Sequence, residues 1–184
     1  MKKTKFFENY FNTLSKSTSS INYELLIEVA ECIQSVNLNK GKIILIGNGG
    51  SAAIVSHLTI DLTKAANIRS INFNEGSFLT CFSNDYGYEF WAEKALEFFA
   101  DKDDLVVLIS SSGKSKNIIN AALKAKEMSL GVITLSGFSK DNPLRSMGDM
   151  NLWVDSKAYN VVEMTHNIWL LSVVDYIIEN VAET

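Results

Sequence analysis

The sequence predicts an α/β fold, a three-layer, doubly wound sheet of five parallel strands in the flavodoxin-like order 2-1-3-4-5. Short apolar runs rich in β-branched residues alternate with helical patterns, which is typical of buried parallel strands joined by right-handed crossovers. Two of these runs, residues 43–46 and 106–109, lead into a loop rich in glycine or serine and then into a helix. In the predicted order these two strands are neighbours, so both loops meet at the switch point where ligands bind.

Two helices are predicted ahead of the first strand. Apolar residues recur at helical spacing in residues 6–14 and 21–36, and the serine-rich residues between them suit a turn or a cap. We expect residues 1–38 to form a helical arm, either as an extra layer or as part of a subunit interface. Residues 39–184 then form the α/β core, and 1–184 is a single domain.

The α/β core is predicted to contain five strands and four helices. The strands are apolar runs bounded by polar loops, whereas the helices repeat apolar residues at every third or fourth position. The predicted strands are 42–46, 68–73, 105–109, 131–135 and 151–154, and the predicted helices are 52–65, 89–99, 117–128 and 160–181. Residues 77–82 fit either a helix or a loop, 83–88 a polar loop, and 136–148 a loop with one helical turn near Leu144.

The composition excludes several classes of protein. The chain has 184 residues, 47% of them apolar, and a net charge of −4, so bulk charge attracts neither nucleic acid nor an anionic membrane. The basic N-terminus lacks the apolar core of a signal peptide, and we expect no apolar run to be long enough to span a bilayer. Cys32 and Cys81 lack the spacing of a metal site, and we expect both to be reduced, buried thiols of a cytoplasmic protein.

The two loops at the switch point predict an anion site. Glycines in residues 47–50 allow a tight turn that leaves backbone N–H groups bare, and the next helix directs the positive end of its dipole toward them. The second loop supplies hydroxyl groups at a helix start, from Ser110, Ser111, Ser112 and Ser115. Serine-rich turns often serve only as caps. Four hydroxyls opposite a glycine-rich loop favour a pocket for a phosphate monoester instead.

The sequence matches two nucleotide-binding motifs only in part, so it favours a nucleotide site less than a pocket for a phosphate monoester. Residues 47–52 match the loose GxGxxG/A pattern of dinucleotide sites, but the acid expected about 20 residues further on would have to be the more distant Glu75. Residues 113–115 have the sequence Gly-Lys-Ser of a P-loop, but Leu108 stands where the upstream glycine is required.

Both histidines of the chain have an acidic neighbour at helical spacing. His57 and Asp61 are four residues apart, and Glu163 and His166 are three apart, so each pair shares one helical face. A histidine beside a carboxylate suits a zinc site or acid–base catalysis. Each pair also fits an ordinary neighbour pair on a helix surface, and spacing alone leaves both interpretations open.

The sequence resembles the sugar isomerase (SIS) domain family in three motifs, GNGGSAAIVSHLTIDL, SNDYGYE and SSSGKSKNI, which occur in the order and spacing of that family. The branch that it resembles most is that of the phosphoheptose isomerases. The resemblance covers nearly the whole chain and implies a sugar-phosphate substrate and a homotetramer with active sites at subunit interfaces. The substrate-binding residues that it implies are Asn48, Gly49, Gly50, Ser51, Asp85, Ser110, Ser111, Ser112 and Ser115.

The resemblance also implies a zinc ion bound at the first core helix. The family carries a histidine there and, four residues on, a glutamate that binds the metal and acts as a base. In this chain these positions are His57 and Asp61, and the aspartate is one methylene shorter. On the last helix the family has a glutamine that corresponds to Glu163. The expected metal ligands are therefore His57, Asp61 and Glu163.

The last helix departs from the family pattern. Leu171 stands where the family has a histidine that ligates zinc and acts as partner acid–base, and leucine can do neither. An upstream family aspartate is replaced by Asn160. The nearest replacement histidine is His166, which would serve either as a fourth metal ligand or as the acid–base group. The catalytic residues expected are Asp61, Glu163 and His166.

The function that the resemblance implies is aldose–ketose isomerisation. The enzyme would convert D-sedoheptulose 7-phosphate to D-glycero-D-manno-heptose 7-phosphate, for the heptose of lipopolysaccharide or capsule. Two other classes stay open. One is a non-catalytic SIS-type protein that binds a phosphosugar or a replication initiator, which Leu171 favours. The other is a sugar-phosphate sensor or an isomerase of a different phosphosugar.

Overall fold

The five strands form one parallel sheet, and the computed structural model describes residues 2–181 of the chain. The strands are β1 (Ile43–Gly47), β2 (Ser70–Asn72), β3 (Leu105–Ser110), β4 (Gly131–Ser136) and β5 (Met150–Trp153). Their order is β2-β1-β3-β4-β5, which confirms the predicted fold. Ile43 of β1 lies opposite Leu105 of β3, and Gly47 lies opposite Ile109, so the two central strands end side by side.

Seven α-helices surround the sheet in the described part of the chain. They are α1 (Lys2–Thr18), α2 (Tyr23–Leu38), α3 (Gly50–Ile60), α4 (Gly76–Tyr86), α5 (Trp91–Phe99), α6 (Lys116–Glu127) and α7 (Tyr159–Val181). α3 continues into a short π-helix, Asp61–Ala65, and a 3-10 turn, Pro143–Ser146, precedes β5.

The two faces of the sheet carry separate hydrophobic cores. Because side chains alternate along a strand, Ile43 and Leu45 point to one face, where they join a core with α2, α3 and α7. Ile44 and Ile46 point to the other face and pack with α5 and α6. All five residues of β1 are buried, as expected for a central strand covered on both sides.

Two local predictions differ from the structure, and a third observation concerns Glu75. α1 continues through Thr18, so most of the predicted serine-rich turn is helical. The predicted polar loop at 83–88 is partly helix, because α4 runs to Tyr86. Glu75 caps α4, since its carboxylate accepts hydrogen bonds from the backbone N–H groups of Ser77 (3.0 Å) and Phe78 (2.9 Å). Glu75 therefore begins a helix and does not serve as the acid of a dinucleotide site.

The last helix corrects the expectation about apolar runs. Residues 159–180 of α7 are long and apolar enough to span a bilayer by length and composition, with a mean hydropathy of 1.2. Half of that window is buried within the fold, which is typical of a core helix. The indole Nε1 of Trp169 also donates to the carbonyl of Thr18 (2.8 Å) and thereby joins α7 to α1.

The two cysteines are free thiols in different environments. Cys32 is half-buried, whereas Cys81 is exposed, so the expectation of two buried thiols is wrong for Cys81.

Candidate functional site

A polar cleft lies where β1 and β3 end. Its volume is about 120 Å³. The residues around it come from the loop after β1, the loop after β3 and the first turns of α7: Asn48, Ser51, Ile109, Ser110, Ser111, Ser112, Ser115, Tyr159 and Glu163. The switch point predicted from the strand order is thus an actual cleft, lined mainly by hydroxyl and amide groups.

Two helices begin at this cleft without a side-chain cap. α3 starts after Gly49, whose positive φ of 55° suits a residue without a side chain. α6 starts after Ser115, whose hydroxyl makes no capping bond. Both helix starts therefore keep backbone N–H groups available, and their dipoles add positive potential. This arrangement favours an anion locally, although the whole chain carries a net negative charge.

The serine loop, residues 110–115, is held in shape by the segment that follows β4. The backbone N–H of Gly137 donates to the carbonyl of Ser111 (2.9 Å), and that of Leu144 donates to the carbonyl of Gly113 (3.2 Å). Gly113 has a φ of 63°, and a Cβ there would collide with the side chain of Asn142. Ser110 and Ser111 are each 5% exposed, so their hydroxyls lie on the cleft floor.

Glu163 brings a carboxylate into the same cleft. The Ser111 hydroxyl donates to its Oε1 at 3.4 Å, and a Cβ on Gly50 would collide with the carboxylate. Glu163 thus lies between the serine loop and the start of α3. The sequence analysis expected Glu163 to be a catalytic residue and a metal ligand, and the structure places its carboxylate at the cleft.

Asn48 is held by two residues that the sequence analysis did not select. Its side chain forms a reciprocal pair with Asn117, with N–H to oxygen distances of 3.0 and 2.9 Å. The Tyr88 hydroxyl donates to Asn48 Oδ1 at 3.2 Å. Tyr88 and Asn117 occur within the motifs SNDYGYE and SSSGKSKNI, so a signal existed. Tyr159, which lines the cleft at the start of α7, had no such signal.

Asp85 lies outside the cleft of this chain. It is exposed at the end of α4, where Asn84 Nδ2 donates to its Oδ1 at 2.9 Å. The other eight residues predicted to bind substrate belong to the two loops at the cleft. Of these, Gly49 and Gly50 shape the start of α3, and the remaining six line the cleft wall.

His57 and Asp61 form a pair far from the cleft. His57 Nε2 lies 3.2 Å from Asp61 Oδ2, and the two side chains are 52% and 34% exposed. Asp61 follows Gly50 by eleven residues, which separates them by about 16 Å along the helix axis. Neither residue is among those that line the cleft of its own chain.

His166 is not in the cleft and does not contact Glu163. It is 0% exposed, and its Nε2 lies 3.0 Å from the carbonyl oxygen of Ser136, so Nε2 carries the proton and donates. Burial lowers the pKa of His166 to about 4, and its Nδ1 has no partner among the described residues. The predicted acid–base role of His166 is not supported, because a neutral imidazole enclosed in the core does not meet a substrate.

The expected zinc ligands do not come together within one chain. Among residues 2–181, no group of three or more His, Cys, Asp or Glu side chains is arranged to hold a metal ion. His57 and Asp61 supply two donors at one end of α3, and Glu163 lies at the other end. The residues of a single chain thus do not fit a zinc ion. Leu171 is half-buried against the core, so it offers no substitute.

Comparison with known proteins gives consistent results. The sequence profile of the SIS domain family matches residues 5–137. The phosphoheptose isomerase of Helicobacter pylori (strain P12) is 33% identical over 159 residues, which cover 83% of this chain and 82% of that protein. The phosphoheptose isomerase structure from Neisseria gonorrhoeae superposes with a TM-score of 0.88 at 26% identity, covering 96% of this chain and 98% of that one. A phosphoheptose isomerase from Francisella tularensis has the same fold, with a TM-score of 0.85 at 24% identity over 97% of each chain.

Proposed function

Because the chain belongs to the SIS domain family, we propose that it is an isomerase that converts sedoheptulose 7-phosphate to a heptose 7-phosphate for heptose biosynthesis. The observation that carries this proposal is the cleft itself. Two uncapped helix starts, five serine hydroxyls and one carboxylate meet there, at the ligand-binding edge of the sheet. The product D-glycero-D-manno-heptose 7-phosphate, for lipopolysaccharide or capsule, is part of the proposal.

The phosphate group is expected to bind between the two helix starts. The backbone N–H groups of α3 and α6 and the hydroxyls of Ser110, Ser112 and Ser115 would donate to its oxygens. Fixing the phosphate holds the rest of the sugar in one orientation, which makes the following proton transfer effectively unimolecular.

The reaction then requires a base and an acid. A carboxylate removes the proton from C1 of the ketose, an enediol forms, and a proton is returned at C2. Glu163 is the carboxylate that the cleft of one chain provides. Asp61, which the family resemblance assigns as a base, lies about 16 Å away and would have to come from another copy of the chain.

This separation supports the proposal of a homotetramer with shared sites. Apolar side chains are exposed along α1, α2 and α7, among them Phe7 (59%), Tyr23 (61%) and Ile168 (44%), and association would cover them. If His57 and Asp61 of one copy approach Glu163 of another, the zinc ligand set would also be completed between chains. Zinc would supply a Lewis acid at the sugar oxygens.

Deuterium incorporation tests the reaction class. In D₂O, isomerisation of sedoheptulose 7-phosphate through an enediol places deuterium at C2 of the product, which NMR detects. The double variant Ser112→Ala with Ser115→Ala is the control, because it weakens phosphate binding and leaves the carboxylates in place. Absence of conversion by the wild-type chain, with binding retained, would favour a phosphosugar-binding protein that lacks the reaction.

That second function has one specific observation in its favour. Leu171 and the buried His166 leave no histidine at the cleft among the described residues. The same NMR experiment decides between the two functions.

Mixed subunits test the shared site. Chains with Asp61→Asn and chains with Glu163→Gln are each expected to be inactive, but co-refolded mixtures should regain activity, because some sites then receive both native carboxylates. Light scattering should show a tetramer in every sample. A monomer, or mixtures with no regained activity, would contradict a site built from two copies.

A further inference from the structure

Asn48 lies on the boundary between two cavities. The first is the cleft described above, and the second, of about 220 Å³, is lined by Tyr88, Glu89, Ser115, Lys116 and Asn117 as well as Asn48. Asn48 and Ser115 belong to both. A sugar phosphate bound at the serine loop and extending into the second cavity must therefore pass Asn48.

The carboxamide of Asn48 is held from both sides. Asn117 Nδ2 donates to Asn48 Oδ1 (2.9 Å), and Asn48 Nδ2 donates to Asn117 Oδ1 (3.0 Å). The Tyr88 hydroxyl donates to the same Asn48 Oδ1 (3.2 Å). Both lone pairs of that oxygen and one Nδ2 proton are thus engaged, which leaves one N–H of Asn48 available to a ligand.

The side chain of Asn117 is buried against Asn48. It is 2% exposed and lies in the first turn of α6, and both polar atoms of its side chain bond only to Asn48 among the described residues. A buried amide is costly to leave unpaired, so the pair stabilises one position of Asn48. Without Asn117, Asn48 could rotate away from the cleft.

Tyr88 is anchored to the same helix. The Asn120 side chain on α6 donates to the carbonyl of Glu89 (2.9 Å), which fixes the segment that carries Tyr88. α6 therefore sets the positions of the serine loop's helix start, of Asn117 and of Tyr88 together. A ligand bound by the start of α6 meets an Asn48 side chain aligned by that same helix.

We propose that Asn117 and Tyr88 are positioning residues, which hold the Asn48 carboxamide so that its free N–H donates to an oxygen of the bound sugar phosphate. The proposal rests on the proposed isomerase function. It adds two residues that do not themselves react and gives Asn48 a defined role as a donor. Preorganising one neutral donor is expected to change kcat/KM by about tenfold, since a hydrogen bond of about 1.4 kcal/mol corresponds to that factor.

A double-mutant cycle tests the proposal. The variants are Asn117→Leu, Tyr88→Phe and Asn48→Ala, each alone and in pairs with Asn48→Ala, assayed for kcat, for KM and for calorimetric binding of sedoheptulose 7-phosphate. Two matched controls remove similar groups elsewhere. Asn151→Leu removes a carboxamide that makes two hydrogen bonds to Thr134, and Tyr86→Phe removes a hydroxyl two residues from Tyr88.

The expected result is that the effects of Asn117→Leu and Tyr88→Phe on kcat/KM depend on the presence of Asn48. Asn117→Leu and Tyr88→Phe should each lower kcat/KM by about tenfold in the wild-type background and by less than about twofold when Asn48 is already alanine. The controls should keep wild-type kcat/KM, even where Asn151→Leu lowers the melting temperature as much as Asn117→Leu. Melting temperature thereby separates loss of fold from loss of positioning.

Three results would overturn the proposal. If Asn117→Leu lowers kcat/KM equally in the wild-type and Asn48→Ala backgrounds, Asn117 acts through the fold and not through Asn48. Wild-type kcat/KM in Asn117→Leu, with an active wild-type chain, would remove the positioning role and leave the isomerase function intact. A wild-type chain that neither binds nor converts the substrate would reject the isomerase function and this inference with it.

Discussion

Replacing Glu163 by glutamine separates two roles of its carboxylate. In the wild type, Glu163 Oε1 lies 3.4 Å from the Ser111 hydroxyl. Glutamine keeps the size of the side chain and this contact, but it has no charge and cannot accept a proton. Binding of a phosphate should therefore strengthen, whereas turnover should fall. These opposite changes distinguish the loss of the charge from a general loss of structure.

The binding change follows from the geometry. A phosphate bound at the serine loop lies beside Ser111, whose hydroxyl contacts the Glu163 carboxylate at 3.4 Å, so the two charges lie within about 6 Å of each other. Two unit charges at that separation repel by about 3 kcal/mol at an effective dielectric of about 20 and by about 0.7 kcal/mol in water. Because the cleft is open to solvent, Glu163→Gln should lower the dissociation constant of the sugar phosphate by about 3- to 100-fold, and less at high salt.

The turnover change follows from the chemistry. A carboxamide cannot accept the C1 proton, so kcat should fall by about 10²- to 10⁴-fold. Calorimetry at low and high salt measures the first change, and NMR detection of the product measures the second. Unchanged binding at low salt would refute the placement of the carboxylate beside the phosphate. A kcat equal to that of the wild type would remove Glu163 from the acid–base step.

Three further predictions concern the phosphate site and the stability of the fold. Ser112→Ala with Ser115→Ala should raise the dissociation constant of the sugar phosphate by about 10- to 100-fold in calorimetry, because two hydroxyl donors to a charged group are lost; an unchanged constant would reject the site. Asp104→Asn should lower the free energy of unfolding in urea by about 3 kcal/mol, because its side chain is 1% exposed and lies 2.5 Å from Lys42 Nζ. Asp101→Asn should lower that free energy much less, because the Asp101 side chain is 81% exposed, and equal losses in the two variants would contradict the burial argument. Burial lowers the pKa of His166 to about 4, so between pH 6.5 and 4 its side chain is protonated in the unfolded chain but neutral in the folded one. The free energy of unfolding should therefore decrease as the pH is lowered, by about 2 kcal/mol between pH 7 and pH 4.5. The loss of unfolding free energy over this pH range should be smaller by about 2 kcal/mol in His166→Gln. Identical losses in the variant and the wild type would contradict this role of His166.

The sheet could be predicted because its strands have a strong physical signal. A strand covered on both faces must be apolar throughout, and β1 and β3 are buried at every residue. The edge strand β2 carries a weaker signal. Only three of its residues pair with β1, although the apolar pattern suggested six, because an edge strand is constrained on one side only.

The C-terminal part of α4 was predicted as a loop because its residues are polar. Ser83, Asn84 and Asp85 suggested a loop, but aromatic residues recur at a spacing of four. The rings of Phe78 and Phe82 stack with 4.0 Å between their centroids, and Tyr86 meets Phe82 edge to face. Aromatic contacts at helical spacing outweighed the local preference of the polar residues for turns.

The positions of the glycine loop and the serine loop could be predicted, whereas the surroundings of the two histidines could not. A glycine or serine loop between a strand and a helix has its geometry fixed by the backbone, so sequence order suffices to place it. Spacing on a helix shows only that two side chains share a face. It does not show that His57 and Asp61 lie at the end of α3 away from the cleft, or that His166 turns to the carbonyl of Ser136 while Glu163 turns to Ser111.

The contacts that shape the serine loop also determine when the site can exist during synthesis. The loop is complete in sequence at residue 115, yet its hydrogen bonds come from Gly137 and Leu144, and its facing carboxylate comes from Glu163. Domains generally fold as units, so a ribosome-bound chain that ends before α7 has the glycine loop and the serine loop but not the segment that encloses them. The ability to bind a phosphosugar is therefore acquired late in translation, and intracellular phosphosugars are not expected to act as templates for folding of the nascent chain.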